Sequence, residues 1–374
     1  MPAAQFLRRA VRRRGLRRAS AFALPQRLWR GDVLRCVDLH CGGEPATVVV
    51  DGGGFDRVRG ATMFEKRRDV MARLDRWREV LLHEPRGYPC ANADFLVPPT
   101  LDEADAAFVI AEQAKVYPLM SGHNTICVAT ALVECGLLPA DRRERFVLEA
   151  PSGPVPIRTE LAADGRCASV TFDGPPSFVA VRDEVVQLDP DACRAIGLAA
   201  AEVRIDVAYG GMWYAIADAA DLGLAIDARD GARLRAAGEL VKAAARAQCP
   251  VQHPTFDYPG PDIMAFRGPW RRGAVATNTV VMSNGYSGML DRSPCGSGTC
   301  AIMALLHARG ELDLGERFVH ESVVGSVFTG ELVGVTAEGV VPAITGSAWI
   351  TRYAEVVVDP TDPFPEGFRV GDIW

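Results

Sequence analysis

Ser121-Gly122-His123-Asn124-Thr125 leads into an apolar run ending at Cys135-Gly136, and Cys295-Gly296-Ser297-Gly298-Thr299 leads into another ending at Arg309-Gly310. Laid one on the other, Ser121 falls on Cys295, Gly122 on Gly296, Thr125 on Thr299 and Gly136 on Gly310. Asn124 to Cys135 and Gly298 to Ala308 read as helices apolar on nearly every side, and such a helix is buried at the centre of something. A glycine just past each end is a common helix stop. The two motifs lie about half the chain apart, so the pattern reads as an internal duplication. Each of two similar domains then offers one Ser or Cys at the mouth of a buried helix.

Working outward, the chain from Val33 alternates short β-like runs with Gly/Pro turns. Val48 to Val50, Phe95 to Pro98, Phe108 to Ala111 and Val170 to Phe172 are examples, as are Ala274 to Met282, Glu331 to Thr336 and Ala354 to Val358. They are rich in β-branched residues and bounded by Gly, Pro, Asn and Asp. Helical periodicity marks Lys66 to Leu82, Asp191 to Leu198 and Asp230 to Gln248. The expected fold class is therefore α/β (α+β). The length of 374 residues suits two domains better than one core.

The composition narrows the function. Apolar residues make up 48% and charged residues 24%, with a net charge of −6, which argues against a nucleic-acid partner. No apolar run approaches the ~18 residues of a membrane span. Ten cysteines without a CxxC pair or a Cys/His cluster read as reduced thiols of a cytoplasmic protein, with no metal site. Gly52-Gly53-Gly54 does not fit a dinucleotide-binding pattern, so no nicotinamide cofactor is expected, and neither pyridoxal phosphate nor a metal. Residues 1–30 are rich in arginine and free of acidic residues, and are expected to be a disordered arm, with the folded protein starting near Gly31.

The two loops suggest a chemistry. A small residue and a glycine at a helix start leave backbone N–H groups bare, and that end of the helix favours anions. Two such ends facing each other would clamp one carboxylate. Ser121 and Cys295 would then flank the group that carries it. For an amino acid, that puts the α-carbon between a hydroxyl and a thiol, the arrangement needed to remove a proton from one face and return one to the other. A thiol of pKa about 8.5 is expected to be lowered at a helix N-terminus, making Cys295 the stronger acid/base group. Ser121 is the weaker partner. Asp291 could hold a substrate ammonium or serve as a turn residue, and His123 could orient the same amine. Asp38, His40 and Glu44 form a polar cluster after a strand, read as a structural turn in preference to a site rim.

At these residues the chain resembles the proline racemase family, which includes proline racemase, 4-hydroxyproline 2-epimerase and trans-3-hydroxy-L-proline dehydratase. Met120 to Thr125 looks like the family's first catalytic loop and Asp291 to Thr299 like its second. His40 to Pro45, Glu84-Pro85-Arg86-Gly87, Ala208-Tyr209-Gly210-Gly211 with Tyr214-Ala215-Ile216, and Glu321-Ser322 with Gly325 and Phe328 also match, in the expected order. The resemblance implies a fold like diaminopimelate epimerase: two pseudo-symmetric domains, each a curved sheet around a central helix, with the site between them. The C-terminal strand would return to the first domain, giving residues 31–186 plus 347–374 as one domain and 187–346 as the other. It also implies a cofactor-independent reaction in a monomer or homodimer. Ser121 and Cys295 would transfer protons, with Gly122, His123, Asn124, Asp291, Gly296, Ser297 and Gly298 binding a proline-like amino acid.

Two departures bear on the substrate. The family's racemases carry cysteine at both catalytic positions, and its typical dehydratase has cysteine first and threonine second; this chain has Ser121 and Cys295. A Ser/Cys pairing occurs in a branch associated with 4-hydroxyproline epimerisation, sometimes with 3-hydroxyproline dehydration as well. After Glu84-Pro85-Arg86-Gly87, many members continue with histidine and acidic residues, whereas this chain has Tyr88-Pro89-Cys90-Ala91-Asn92. The first expectation is interconversion of trans-4-hydroxy-L-proline and cis-4-hydroxy-D-proline. Dehydration of trans-3-hydroxy-L-proline is second, proline racemisation third, and a non-catalytic amino-acid-binding relative comes last. An acyl-transfer enzyme is disfavoured, because no acyl-enzyme signature surrounds Cys295.

Overall fold

The computed structural model describes residues 33–282 and 288–374. The expectations for the arginine-rich arm and for a start near Gly31 lie outside those residues. Among the described residues, six α-helices are found: α1 (Met63–Arg73), α2 (Arg76–Leu82), α3 (Gly122–Glu134), α4 (Pro190–Ile196), α5 (Gly231–Gln248) and α6 (Gly296–Ala308).

The central pair, α3 and α6, match in detail. Each is 13 residues long, and each begins one residue after Ser121 or Cys295. Every residue from Gly122 to Val133 is buried, as is every residue from Gly296 to Leu306. Both stop with a glycine at positive φ, Gly136 at 65° and Gly310 at 72°. In each, the N–H three residues past the end reaches back into the last turn, Leu137 to the Leu132 carbonyl and Glu311 to the Leu306 carbonyl.

The segment Lys66 to Leu82, expected as one helix, is two. The chain breaks at Leu74 and Asp75 because the Asp75 carboxylate is drawn inward, accepting from the Arg78 guanidinium and from the Tyr117 hydroxyl at 2.8 Å.

Among the described residues, seventeen strands pair in one sheet, and Val251–Gln252 and Pro259–Gly260 form a separate pair. In the first half, strand Val33–Cys41 lies between Glu44–Gly52 and the late strand Ala348–Val357. The series continues through Ala93–Val97, Ala106–Ala111, Arg145–Ala150 and Gly153–Leu161 to Cys167–Asp173. Val340–Gly346 then pairs with Cys167–Asp173 and carries the ladder into the second half. There Val327–Val335, Arg317–Glu321, Val275–Met282, Ile263–Arg267, Trp213–Asp218, Glu202–Tyr209 and Phe178–Gln187 follow in turn.

The sheet curls once around α3 and once around α6, so one apolar core holds both helices, including Ile126, Leu132, Met303 and Leu305. Two outer layers complete the structure. α1 and α2 cover the first half around Trp77 and Phe95, and α5 covers the second around Trp213 and Phe266. A helix enclosed on all sides is held by packing, so truncating a buried leucine such as Leu132 removes about 2–5 kcal/mol.

Candidate active site

The starts of α3 and α6 meet backbone to backbone. A Cβ built on Gly122 would lie 2.5 Å from the Gly296 Cα, and one built on Gly296 would lie 2.5 Å from the Gly122 Cα. Contact this close is open only to two glycines. Phe172 seals one side, its Cζ lying 3.0 Å from the Cβ position on Gly122. Ser121 and Cys295, each the residue before its helix, are therefore brought to the same place with both sets of free N–H groups. The first intrahelical bonds are Thr125 N–H to the Ser121 carbonyl and Thr299 N–H to the Cys295 carbonyl. The amides of Gly122, His123, Asn124, Gly296, Ser297 and Gly298 are thus left out of the helical ladders. Both threonine hydroxyls also donate to those N-cap carbonyls, at 2.7 Å each.

The two caps differ in backbone. Ser121 is extended (φ −143°, ψ 128°), whereas Cys295 has φ 63° and ψ 107°. A non-glycine residue held there costs about 1–3 kcal/mol and persists only where its surroundings over-determine it. Here they do. The Ser293 N–H donates to Asp291 Oδ1 at 2.7 Å, and the Cys295 N–H donates to Ser293 Oγ at 3.0 Å. Asn278 Nδ2 donates to the Pro294 carbonyl at 2.8 Å. From the other half, Glu44 Oε2 accepts the Arg292 N–H at 2.8 Å.

The side chains around each cap also differ. The Tyr214 hydroxyl lies 3.3 Å from Cys295 Sγ and 2.7 Å from Ser297 Oγ. Ser121 Oγ lies 3.3 Å from His123 Nδ1 and accepts from Asn124 Nδ2 at 3.1 Å. Burial pushes the His123 imidazole down to about 3, so the ring is neutral, with the Pro45 carbonyl opposing as an acceptor. The Cys295 thiol corrects the expectation from helix position alone. Burial pushes it well up and the Asp291 carboxylate pushes the same way, against the Tyr214 hydroxyl and the Gly298 N–H. Asp291 itself is raised by burial to about 6 although Ser293 holds it.

The turn expected at Asp38 to Pro45 is present, with Gly42 and Gly43 at positive φ joining two strands. Asp38 and His40 are held against the late strand Ala348–Val357: Asp38 pairs with Arg352 and His40 stacks on Trp349. Glu44 does more than the turn reading allowed. It is fully buried, holds Arg292, accepts from Asn92 Nδ2 at 3.3 Å and is raised by burial and by Asp291. Glu112 is raised to about 8 by burial and by Asp291, then by Asp262. A cavity of about 140 Å³ between the halves is lined by Glu112, Met212, Asp262, Ile263 and Met282 among others; Ser121 and Cys295 are not in its wall.

Glu112 carries no reading in the sequence, Glu44 is expected only as a turn residue, and Tyr214 has a matching motif but no role. Its place 3.3 Å from Cys295 Sγ is the missing information. Among the described residues, no group of three or more His, Cys, Asp or Glu side chains is arranged to hold a metal ion, and no helix is long and apolar enough to cross a membrane.

The family model described as proline racemase matches residues 36–369. A 4-hydroxyproline 2-epimerase of Streptosporangium roseum is 38% identical over 342 residues, covering 90% of this chain and 98% of that protein. A trans-3-hydroxy-L-proline dehydratase of Bacillus cereus is 33% identical over 345 residues, covering 90% and 97%. The crystal structure of a hydroxyproline epimerase from Agrobacterium vitis, with bound trans-4-hydroxy-L-proline, superposes with a TM-score of 0.82 at 34% identity. It covers 91% of this chain and 96% of that one.

Proposed function

The chain belongs to the proline racemase family, and from its site we propose that it is a 4-hydroxyproline 2-epimerase. It interconverts trans-4-hydroxy-L-proline and cis-4-hydroxy-D-proline by side-chain acid/base chemistry, without a cofactor. The observation that carries the reading is the Gly122–Gly296 contact, which joins two anion-favouring helix starts, each preceded by a group able to move a proton.

In this reading the substrate carboxylate lies on the free N–H groups of Gly122, His123, Asn124, Gly296, Ser297 and Gly298. Negative charge developing on the carboxylate as Cα is deprotonated is stabilised by the same groups. Asp291 takes the ring ammonium and His123 borders it. Cys295 and Ser121 then face opposite sides of Cα, one removing a proton while the other supplies one.

The raised thiol fits this sequence of events. Asp291 is one of the groups pushing Cys295 up. An ammonium paired with Asp291 cancels that push, so substrate binding itself favours the thiolate.

The test is proton NMR in D₂O with trans-4-hydroxy-L-proline, trans-3-hydroxy-L-proline and L-proline supplied separately. Loss of the Cα–H signal from 4-hydroxyproline, with the epimer growing in, is the expected result. Conversion of 3-hydroxyproline alone, to an imine carboxylate, would move the assignment to a dehydratase, the activity named for the Bacillus cereus relative.

A further inference from the structure

We propose that His123 is the proton partner of Ser121: its Nδ1 takes up the hydroxyl proton when Ser121 Oγ removes the Cα proton, and returns it when Ser121 acts as the acid. The inference rests on the epimerase reading and adds to His123 a role distinct from bordering the amine.

The hydrogen bonds around Ser121 place the two groups for the relay. Its Oγ accepts from Asn124 Nδ2 at 3.1 Å and has His123 Nδ1 as its other neighbour at 3.3 Å; in the Nε2–H tautomer that nitrogen accepts the hydroxyl's own proton. Both side chains are buried, so bulk water does not compete for that proton. The ring is neutral, which gives it one nitrogen able to accept.

Comparison of the two loops supports the assignment. His123 stands two residues after Ser121, and the matching position after Cys295 is Ser297. Ser297 Oγ is 4.0 Å from Cys295 Sγ, and the thiol's nearer neighbour is the Tyr214 hydroxyl. The thiol is thus given hydroxyls, whereas the serine is given an imidazole nitrogen. A serine hydroxyl is a weak acid/base group unless an adjacent base shares its proton.

The Cα–H bond breaks, its electron pair stays on the substrate, and its proton goes to Ser121 Oγ. The former hydroxyl proton passes to His123 Nδ1. On the other face the Cys295 S–H bond breaks, the proton goes to Cα, and the electron pair stays on sulfur. The site is left with an imidazolium and a thiolate, the state from which the reverse reaction starts. Burial disfavours the charged ring, which makes it a strong acid and drives the proton back to Ser121 when the direction reverses.

Four proteins test this: wild type, His123→Gln, Ser121→Cys and the double variant Ser121→Cys/His123→Gln, each followed by Cα–H exchange in D₂O from both 4-hydroxyproline epimers. His123→Gln is expected to lose inversion by about 100-fold or more, the usual scale of one acid/base contribution. Washout of Cα–H on the Cys295 face should persist. In the Ser121→Cys background the same change is expected to cost less than about 10-fold, because a thiol needs no partner base. An equal loss in both backgrounds, or no loss in either, overturns the relay.

A second measurement needs no substrate. Histidine ¹⁵N shifts of the ligand-free protein should give an Nε2–H tautomer for His123, with an Nδ1 hydrogen bond that disappears in Ser121→Ala. An Nδ1–H tautomer overturns the relay even if the epimerase reading stands. Absence of exchange in the wild type, with the expected tautomer present, rejects the substrate assignment and leaves the Ser121–His123 bond in place.

Discussion

Gly122 and Gly296 meet backbone to backbone at the starts of two helices from opposite halves of the chain, so near that neither position has room for a methyl group. This contact turns two separate helix ends into one site. Alanine at either position would place Cβ against backbone, which cannot rotate aside. Gly122→Ala and Gly296→Ala are therefore each expected to lower stability by about 1–3 kcal/mol, as overpacking does. Each should also reduce Cα exchange far more than that loss explains. Thermal unfolding and exchange measured on the same samples check both; full activity in either variant would refute the facing-helix site.

Cys295→Ala should abolish Cα exchange from both epimers while leaving the melting temperature within a few degrees. The side chain is small, and the loop around it is held by Asp291, Ser293 and Asn278. Ser121→Ala should block inversion yet keep exchange on the Cys295 face. Loss of all exchange in Ser121→Ala would mean that the two groups do not act on separate faces.

Tyr214→Phe removes the hydroxyl 3.3 Å from Cys295 Sγ, a group that favours the thiolate. The thiol should then ionise at a higher pH than in the wild type. Its alkylation rate followed against pH reads this directly, and the alkaline rise in rate is expected to move up by about 1 unit, the worth of one hydrogen bond to a charged group. An unmoved profile would assign Tyr214 to packing alone.

Glu112 carries a proton in the folded protein up to about 8, against an ordinary value of 4.5. Between those values the native state holds a proton that the unfolded chain has released. Stability contributed by the protonated form is thus fully present below about 4.5 and falls as pH rises through the window, by at most about 1.4 kcal/mol per unit. Glu112→Gln should flatten that slope, becoming the more stable protein near pH 8. Denaturant unfolding across pH 5 to 9 measures it, and parallel wild-type and variant curves would rule Glu112 out as the source.

Much of this protein is legible in one dimension because two 13-residue helices with matching starts and glycine stops need only periodicity and local capping to be recognised. Those features depend on neighbours within a turn of one another. The apolar run of each helix also states that it must be enclosed, and the pairing of Ser121 with Cys295 follows from aligning the repeats. The site's chemical environment is different in kind. Glu44 looks like part of a hairpin turn until the fold carries it across to the Arg292 N–H, 248 positions away. Tyr214 acquires its place beside Cys295 over a separation of 81, and the thiol's upward shift comes from burial and Asp291, against the lowering expected from a helix N-terminus. Local pattern determined which groups could move a proton; only the tertiary structure decided their partners and their ionisation, because both depend on which distant side chains exclude water from the same small space.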